Sequence, residues 1–300
     1  MKQIYLMVVA AAVAATFINC GGKSSERAER KDFIQIGGLR MPAIPDSLKD
    51  AESRSAWMTL HYWDWAPLSG RLDSAMLEQA FADWIPVMAA TDSATLSAGV
   101  ERLMSRARQY PAAADYFTWL PEHYLYEPES PLYSETLYEA FLNEQLRHHP
   151  DDETLAYRKQ MVMKNRPGTK APDLTLVNPE DEIFTLAGGT GDILLVFHSP
   201  DCEECAETIR LLKSDKNIGR RIADGKLRVV LAYPGGDISG WLRQAAELPE
   251  GWETGRDVTG TLDDKYEIRA TPTIYLLDAD LTVILKDRPA AEVLEAVSLR

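Results

Sequence analysis

The sequence predicts two domains: a mostly α-helical one over residues 33–165, then an α/β domain over residues 166–300 with a central mixed sheet flanked by helices. Three observations predict them. Apolar residues recur at helical spacing from about Asp46 to Met163, with prolines at the breaks. Two continuous apolar runs, "DILLVFH" from Asp192 and "KLRVVLAYP" from Lys226, read as strands buried on both faces. Helical patterns separate and follow those runs, as in a sheet with helices packed on it. A chain of 300 residues is long enough for two such domains.

Composition removes some functions. The formal net charge is −14 and the pI about 4.9. Such a chain is repelled by nucleic-acid phosphates and by bare anionic membranes, so no nucleic-acid partner is expected. Its cysteines, Cys20, Cys202 and Cys205, are too few for a disulfide scaffold. No cofactor is expected.

The N-terminus addresses the chain. Lys2 precedes an apolar stretch, Ile4 to Ile18, interrupted only by Tyr5 and Thr16. At about 15 residues it is short for a membrane span and suits a secretory signal. Cys20, Gly21, Gly22 and a polar tract follow. This resembles a bacterial lipoprotein signal, with residues 1–19 removed, Cys20 acylated, and residues 20–32 left as a flexible tether. Phe17, Ile18 and Asn19 depart from the usual Leu, small residue, then Gly or Ala. The resemblance implies a lipid-anchored protein of the bacterial cell envelope, facing the periplasm. An ordinary secretory peptide with an incidental cysteine, or an uncleaved anchor, is the alternative; both also place the chain outside the cytoplasm.

In the helical domain, "PDSLKDAESRSAWMTLHYWDW" has Asp46 as candidate N-cap. "LDSAMLEQAFADWIPVM" follows, capped by Asp73, with Leu77, Phe81 and Trp84 on one face. "SATLSAGVERLMSRARQY" and "PAAADYFTWLPEHYLY" continue the pattern. "SPLYSETLYEAFLNEQLRHHP" opens on a partial capping box, Ser134 with Leu137 where Glu or Gln would close it. Trp57, Trp63, Trp65, Trp84 and Trp119 lie here, and aromatic residues at helical spacing read as core. His148 and His149 point to different sides of a helix and suit its C-terminus better than a metal. "HYWDWAPL" and "HYLYEPESPLYSETLYEAFL" resemble an uncharacterised helical domain that precedes thioredoxin modules in some bacterial envelope lipoproteins.

The second domain opens after Pro167, Gly168 and Pro172. Leu174–Val177 and Ile183–Leu186 read as short strands joined by "NPEDE". After the first buried run, "CAETIRLLKSD" is a helix with Cys205, Ile209 and Leu212 on one side. After the second, "DISGWLRQAAEL" is a helix and "GTLDDKYEI" a short helix or turn. "TPTIYLLDADLTVI" gives two strands, and "PAAEVLEAVSL" the last helix.

Cys202-Glu203-Glu204-Cys205 therefore falls where a central strand meets a helix. The free N–H groups and partial positive charge of a helix start stabilise a thiolate, the attacking species in disulfide exchange. The second cysteine, one turn on, can resolve a mixed disulfide. In "ATPTIYLLD", Thr271-Pro272 opens a late strand. Together these motifs resemble the thioredoxin fold from about Gly168 to Val297, and most of all the membrane-tethered envelope thiol-disulfide oxidoreductases of the reductase type. The resemblance implies a cis Pro272 facing the cysteine pair, with the backbone of Thr271 pairing with a bound substrate strand. It implies protein thiols or disulfides as substrates, and an unidentified membrane or periplasmic redox partner.

Some positions depart from the family. Asp201 stands where Trp is common, and Val196 where cytosolic thioredoxins keep a buried acid. Thr208 and Arg210 replace the Glu and Pro frequent in the tethered reductases. His198 and Glu207 are the nearby candidates for proton transfer; the plainer reading makes each a solvated or capping side chain. Asp201, Glu203, Glu204 and Glu207 disfavour the Cys202 thiolate, against the helix start and a protonated His198, and predict a reductant or isomerase rather than a strong oxidant. Zinc would need four ligands where two thiols stand without a chelating His. A peroxidase centred on Cys202 has only Ser199 as an echo of its activating residues. The main rival is a non-catalytic binding module on a degenerate thioredoxin fold.

Overall fold

A computed structural model describes residues 33–36, 39–127 and 130–300, which divide into two compact units at 156/157. Residues 1–32, with the proposed signal, Cys20 and the tether, lie outside the described residues.

The described part of the N-terminal unit opens on an unforeseen hairpin, β1 (Phe33–Ile36) pairing antiparallel with β2 (Leu39–Pro42). Six helices follow: α1 (Ala51–His61), α2 (Ser74–Ala89), α3 (Ser93–Ala107), α4 (Pro111–Leu125), α5 (Glu135–His148) and α6 (Glu153–Met163), the last crossing the division. The first cap is Asp50, not Asp46: its Oδ1 accepts the Ser53 N–H at 2.7 Å. Pro45 and the turn after it hold Asp46 outside the helix. Asp73 caps α2 and Ser134 caps α5, as expected. Leu77, Phe81 and Trp84 are wholly buried, and Trp84 meets Trp63 and Phe141 edge-on. The tryptophan stripe is only partly core, because Trp65 and Trp119 are 44% and 43% exposed. His148 Nε2 lies 3.2 Å from Glu144, a buried carboxylate that Arg108 and Arg147 also reach at 2.9 Å.

The C-terminal unit is built on a seven-stranded sheet in the order β4-β3-β7-β6-β5-β8-β9. The strands are β3 (Thr175–Val177), β4 (Ile183–Thr185), β5 (Asp192–Phe197), β6 (Leu227–Tyr233), β7 (Trp252–Arg256), β8 (Thr273–Leu277) and β9 (Val283–Lys286). β5, β6 and β7 are parallel, and the remaining pairings are antiparallel. The helices are α7 (Glu203–Ser214), α8 (Lys216–Ala223), α9 (Ile238–Ala245), α10 (Leu262–Lys265) and α11 (Ala290–Ser298). Two of these elements were not foreseen. α8 has only Ile218 and Ile222 as its apolar pair, and Asp215 starts it by accepting from Asn217 and Ile218. β7, "WETGR", lacks a strand-like apolar pattern; pairing with β6 makes it a strand. Its Gly255 is forced, since a Cβ there would come within 2.7 Å of Leu176 and Phe184.

Alternation along β5 separates two cores. Ile193, Leu195 and Phe197 face Tyr266 and Tyr275, while Leu194 and Val196 face Ile209 and Leu212 of α7 and Val293 of α11. The second face leads to the cysteine pair.

Candidate functional site

The chain leaves β5 at Phe197 and enters α7 at Glu203. Cys202 is the N-cap: its Sγ accepts the Cys205 N–H at 3.0 Å, taking one of the donors a helix start leaves free. Cys202 and Cys205 are disulfide-bonded, with Cα atoms 5.2 Å apart. The two sulfurs have different surroundings. Cys205, Ile209 and Leu212 form the buried stripe of α7, so Cys205 is wholly enclosed while Cys202 is only half-buried.

A second loop meets the pair. The Thr271–Pro272 bond is cis, and the Thr271 carbonyl oxygen lies 3.2 Å from Cys202 Sγ. The loop is fixed from behind. Thr273 Oγ1 donates to the Ala270 carbonyl at 2.6 Å, and Arg269 reaches Asp287 at 2.7 Å and Glu267 at 3.3 Å. Lys286 closes on Glu267 in the interior. Burial pushes the Asp287 carboxyl up, against the pull of Arg269.

α9 meets the loop that leads into the pair. A Cβ on Gly240 would stand 3.1 Å from Pro200 Cβ, so glycine lets α9 approach the cysteine loop. Trp241 anchors the helix by donating Nε1–H to Thr254 Oγ1 at 3.0 Å and stacking on Tyr233. Burial raises the Tyr233 phenol pKa, the Asp237 backbone N–H opposes the rise, and the charges of Asp237 and Asp201 add to it. "PGGDISGW" held the signal: a Gly-Gly turn, an acid at a helix start, and a small residue in the helix.

His198 corrects an expectation. It is 1% exposed, neither solvated nor capping, with its ring 6.0 Å from that of Tyr233. Gln244 approaches the ring and partly offsets burial, but neither ring nitrogen nor Gln244 Oε1 attains hydrogen-bonding geometry. Burial pulls the imidazole pKa down to about 4, so His198 is neutral at pH 7 and adds no positive charge to the site. Glu207 is exposed and lies 3.5 Å from Arg210. Asp201, Glu203 and Glu204 are exposed too, and Glu204 Oε2 lies 4.0 Å from Cys202 Sγ. Among the described residues no cluster of His, Cys, Asp or Glu is placed to hold a metal ion, and no helix is long and apolar enough to cross a membrane.

Fold and site together define a thioredoxin-like domain. Residues 179–288 match the thioredoxin-like domain family, to which this C-terminal unit belongs, and residues 19–165 match a domain of unknown function, DUF5106. A thioredoxin-like protein from Bacteroides caccae is similar at 28% identity and a TM-score of 0.81, over 89% of this chain and 100% of that one. The C-terminal domain of an uncharacterized protein from Bacteroides fragilis is 33% identical over 45% of this chain and 98% of that one, with a TM-score of 0.43. The thioredoxin domain of a thiol-disulfide oxidoreductase from Bacteroides vulgatus is 17% identical over 45% of this chain and 96% of that one, with a TM-score of 0.39. A comparison with curated proteins found no match.

Proposed function

We propose that this protein is an extracytoplasmic thiol-disulfide oxidoreductase, a reductase or isomerase, acting through Cys202-Glu203-Glu204-Cys205. The asymmetry of the two sulfurs carries the reading: Cys202 is partly open at a helix N-terminus, and Cys205 is enclosed one turn behind it. In the reduced protein the Cys202 thiolate attacks one sulfur of a substrate disulfide. That bond breaks, and the departing thiolate takes a proton from water. The Cys205 thiol then gives up its proton and attacks Cys202 Sγ, which breaks the mixed disulfide and releases the second substrate thiolate. Two electrons pass from protein to substrate, leaving the Cys202–Cys205 disulfide. Thr271 and Pro272 line the approach to Cys202, with the Thr271 backbone positioned to pair with an extended substrate segment. A membrane or periplasmic partner returns the electrons, and a lipid on Cys20 tethers the chain to the membrane.

The environment supports a reducing poise. The helix start and the Cys205 N–H favour the Cys202 thiolate. Glu204 beside the sulfur, with Asp201 and Glu203, opposes it, and neutral His198 adds nothing. A thiolate without strong stabilisation makes the pair less oxidising. Trapping tests the mechanism. Cys205→Ser should accumulate mixed disulfides on Cys202, and Cys202→Ser should abolish exchange; trapping by Cys202→Ser instead would reverse the roles. Equilibration against glutathione tests the poise: a potential as high as about −120 mV refutes it, and thiols with no reversible two-electron couple mark a binding module. Cys20→Ala should release the protein into a soluble extracytoplasmic fraction or stall its processing.

A further inference from the structure

The rim of the cysteine pair carries an unbalanced charge at the start of α7. Asp201, Glu203 and Glu204 surround the start of α7, and Asp237 stands at the start of α9. The first-turn position of Glu203 and Glu204 suits the α7 dipole. That does not explain Asp201, which precedes the helix. Asp201, Glu203 and Glu204 are bonded to no cation among the described residues. The nearby guanidiniums are already engaged: Arg210 lies 3.5 Å from Glu207, Arg243 3.9 Å from Asp237, and Arg269, behind the Thr271 loop, 2.7 Å from Asp287. Ile238 and Leu242, 50% and 42% exposed, stand one turn apart on the face of α9 opposite Gly240. The contact at Gly240 holds that helix against the cysteine loop.

We infer that the pair takes disulfides lying in cationic stretches of a partner protein. Lysine or arginine flanking the partner's cystine meets the rim acids. The inference rests on the exchange reading above and gives it a substrate class. Opposite charge speeds encounter and fixes the approach, whereas an acidic partner meets like charge at the sulfur it must reach. The same acids disfavour the free thiolate, and a cationic substrate offsets that effect as it docks, so the nucleophile is strengthened by the substrate it selects.

The test uses the dithiothreitol-reduced full chain, desalted, and three peptide disulfides that differ only in the residues flanking the cystine: Lys, Ser or Glu. Formation of the Cys202–Cys205 disulfide is followed by mass spectrometry. At low ionic strength the Lys peptide should react about tenfold faster than the Ser peptide, and the Glu peptide more slowly than either. The spread should collapse in about 1 M salt. In Asp201→Asn/Glu203→Gln/Glu204→Gln the Lys-to-Ser ratio should fall toward one, the Ser peptide serving as internal reference for any change in thiol reactivity. Equal rates for Lys and Ser peptides at low salt, or a preference that survives the triple variant, overturn the inference and leave the exchange reading standing. No reaction with any peptide overturns both.

Discussion

The two ends of β5 handle charge in opposite ways. At its start, nearly buried Asp192 accepts from Arg221 at 2.8 Å and from Arg300 at 2.9 and 3.1 Å, while Arg221 also donates to the Val297 carbonyl. Beyond its finish, Asp201, Glu203 and Glu204 stand exposed without a cation among the described residues. A carboxylate neutralised in the interior ties backbone segments together, here β5 to α8 and α11. A carboxylate left unneutralised at the surface acts across space, on a sulfur or an incoming chain. The difference predicts which acids matter to stability and which to redox chemistry.

The comparison breaks most easily at Asp192. Asp192→Ala leaves Arg221 buried and uncompensated, and should destabilise the C-terminal unit by about 3 kcal/mol. Hydrogen-exchange protection of the β5 and β6 amides measures it; a loss below about 1 kcal/mol would put Asp192 among the idle surface acids. His198, at the site end, gives the next effect. Its folded pKa is about 4, below the usual histidine value of 6.5, so the unfolded chain binds the proton first. The stability of the neutral buried ring is fully present above about pH 6.5 and falls by up to about 3 kcal/mol as pH drops toward 4. His198→Phe should flatten that segment of the stability–pH curve relative to the parent protein, and unchanged curvature would sink the assignment. The smallest effect belongs to the rim. Glu203→Gln with Glu204→Gln should leave stability within about 0.5 kcal/mol. By easing the Cys202 thiolate it should raise the potential by about 10–20 mV, less in high salt. A fall in potential would reverse the sign of the argument.

What was legible in the sequence follows the range of the forces involved. β5 and α7 announced themselves because the apolar run Ile193–Phe197 and the stripe Cys205, Ile209, Leu212 are local patterns, and Cys202 sits at their junction. β7 did not, because its strand character comes from pairing with β6 and from Gly255 under Phe184. Asp46 and Asp50 both suit an N-cap; the choice is made by the turn that follows Pro45. His198 was misjudged for a similar reason. It ends an apolar run and resembles the first solvated residue, but it shares the inward face of Leu194 and Val196 and is enclosed beside Tyr233 and Gln244. The acids flanking the cysteines were evident as composition. That they stand without a cation among the described residues required the tertiary fold.

A sulfur serving as the N-cap of α7 makes the start of that helix responsive to electron count. Serine or aspartate in that position would offer the same acceptor at all times. Cys202 Sγ offers a disulfide sulfur in one state and a thiolate in the other, and an ionised acceptor holds an amide proton more strongly. The Cys205 N–H is thus an intrinsic gauge of oxidation state. Its NMR resonance should move downfield on reduction and its deuterium exchange should slow, a readout that needs no dye and no added label.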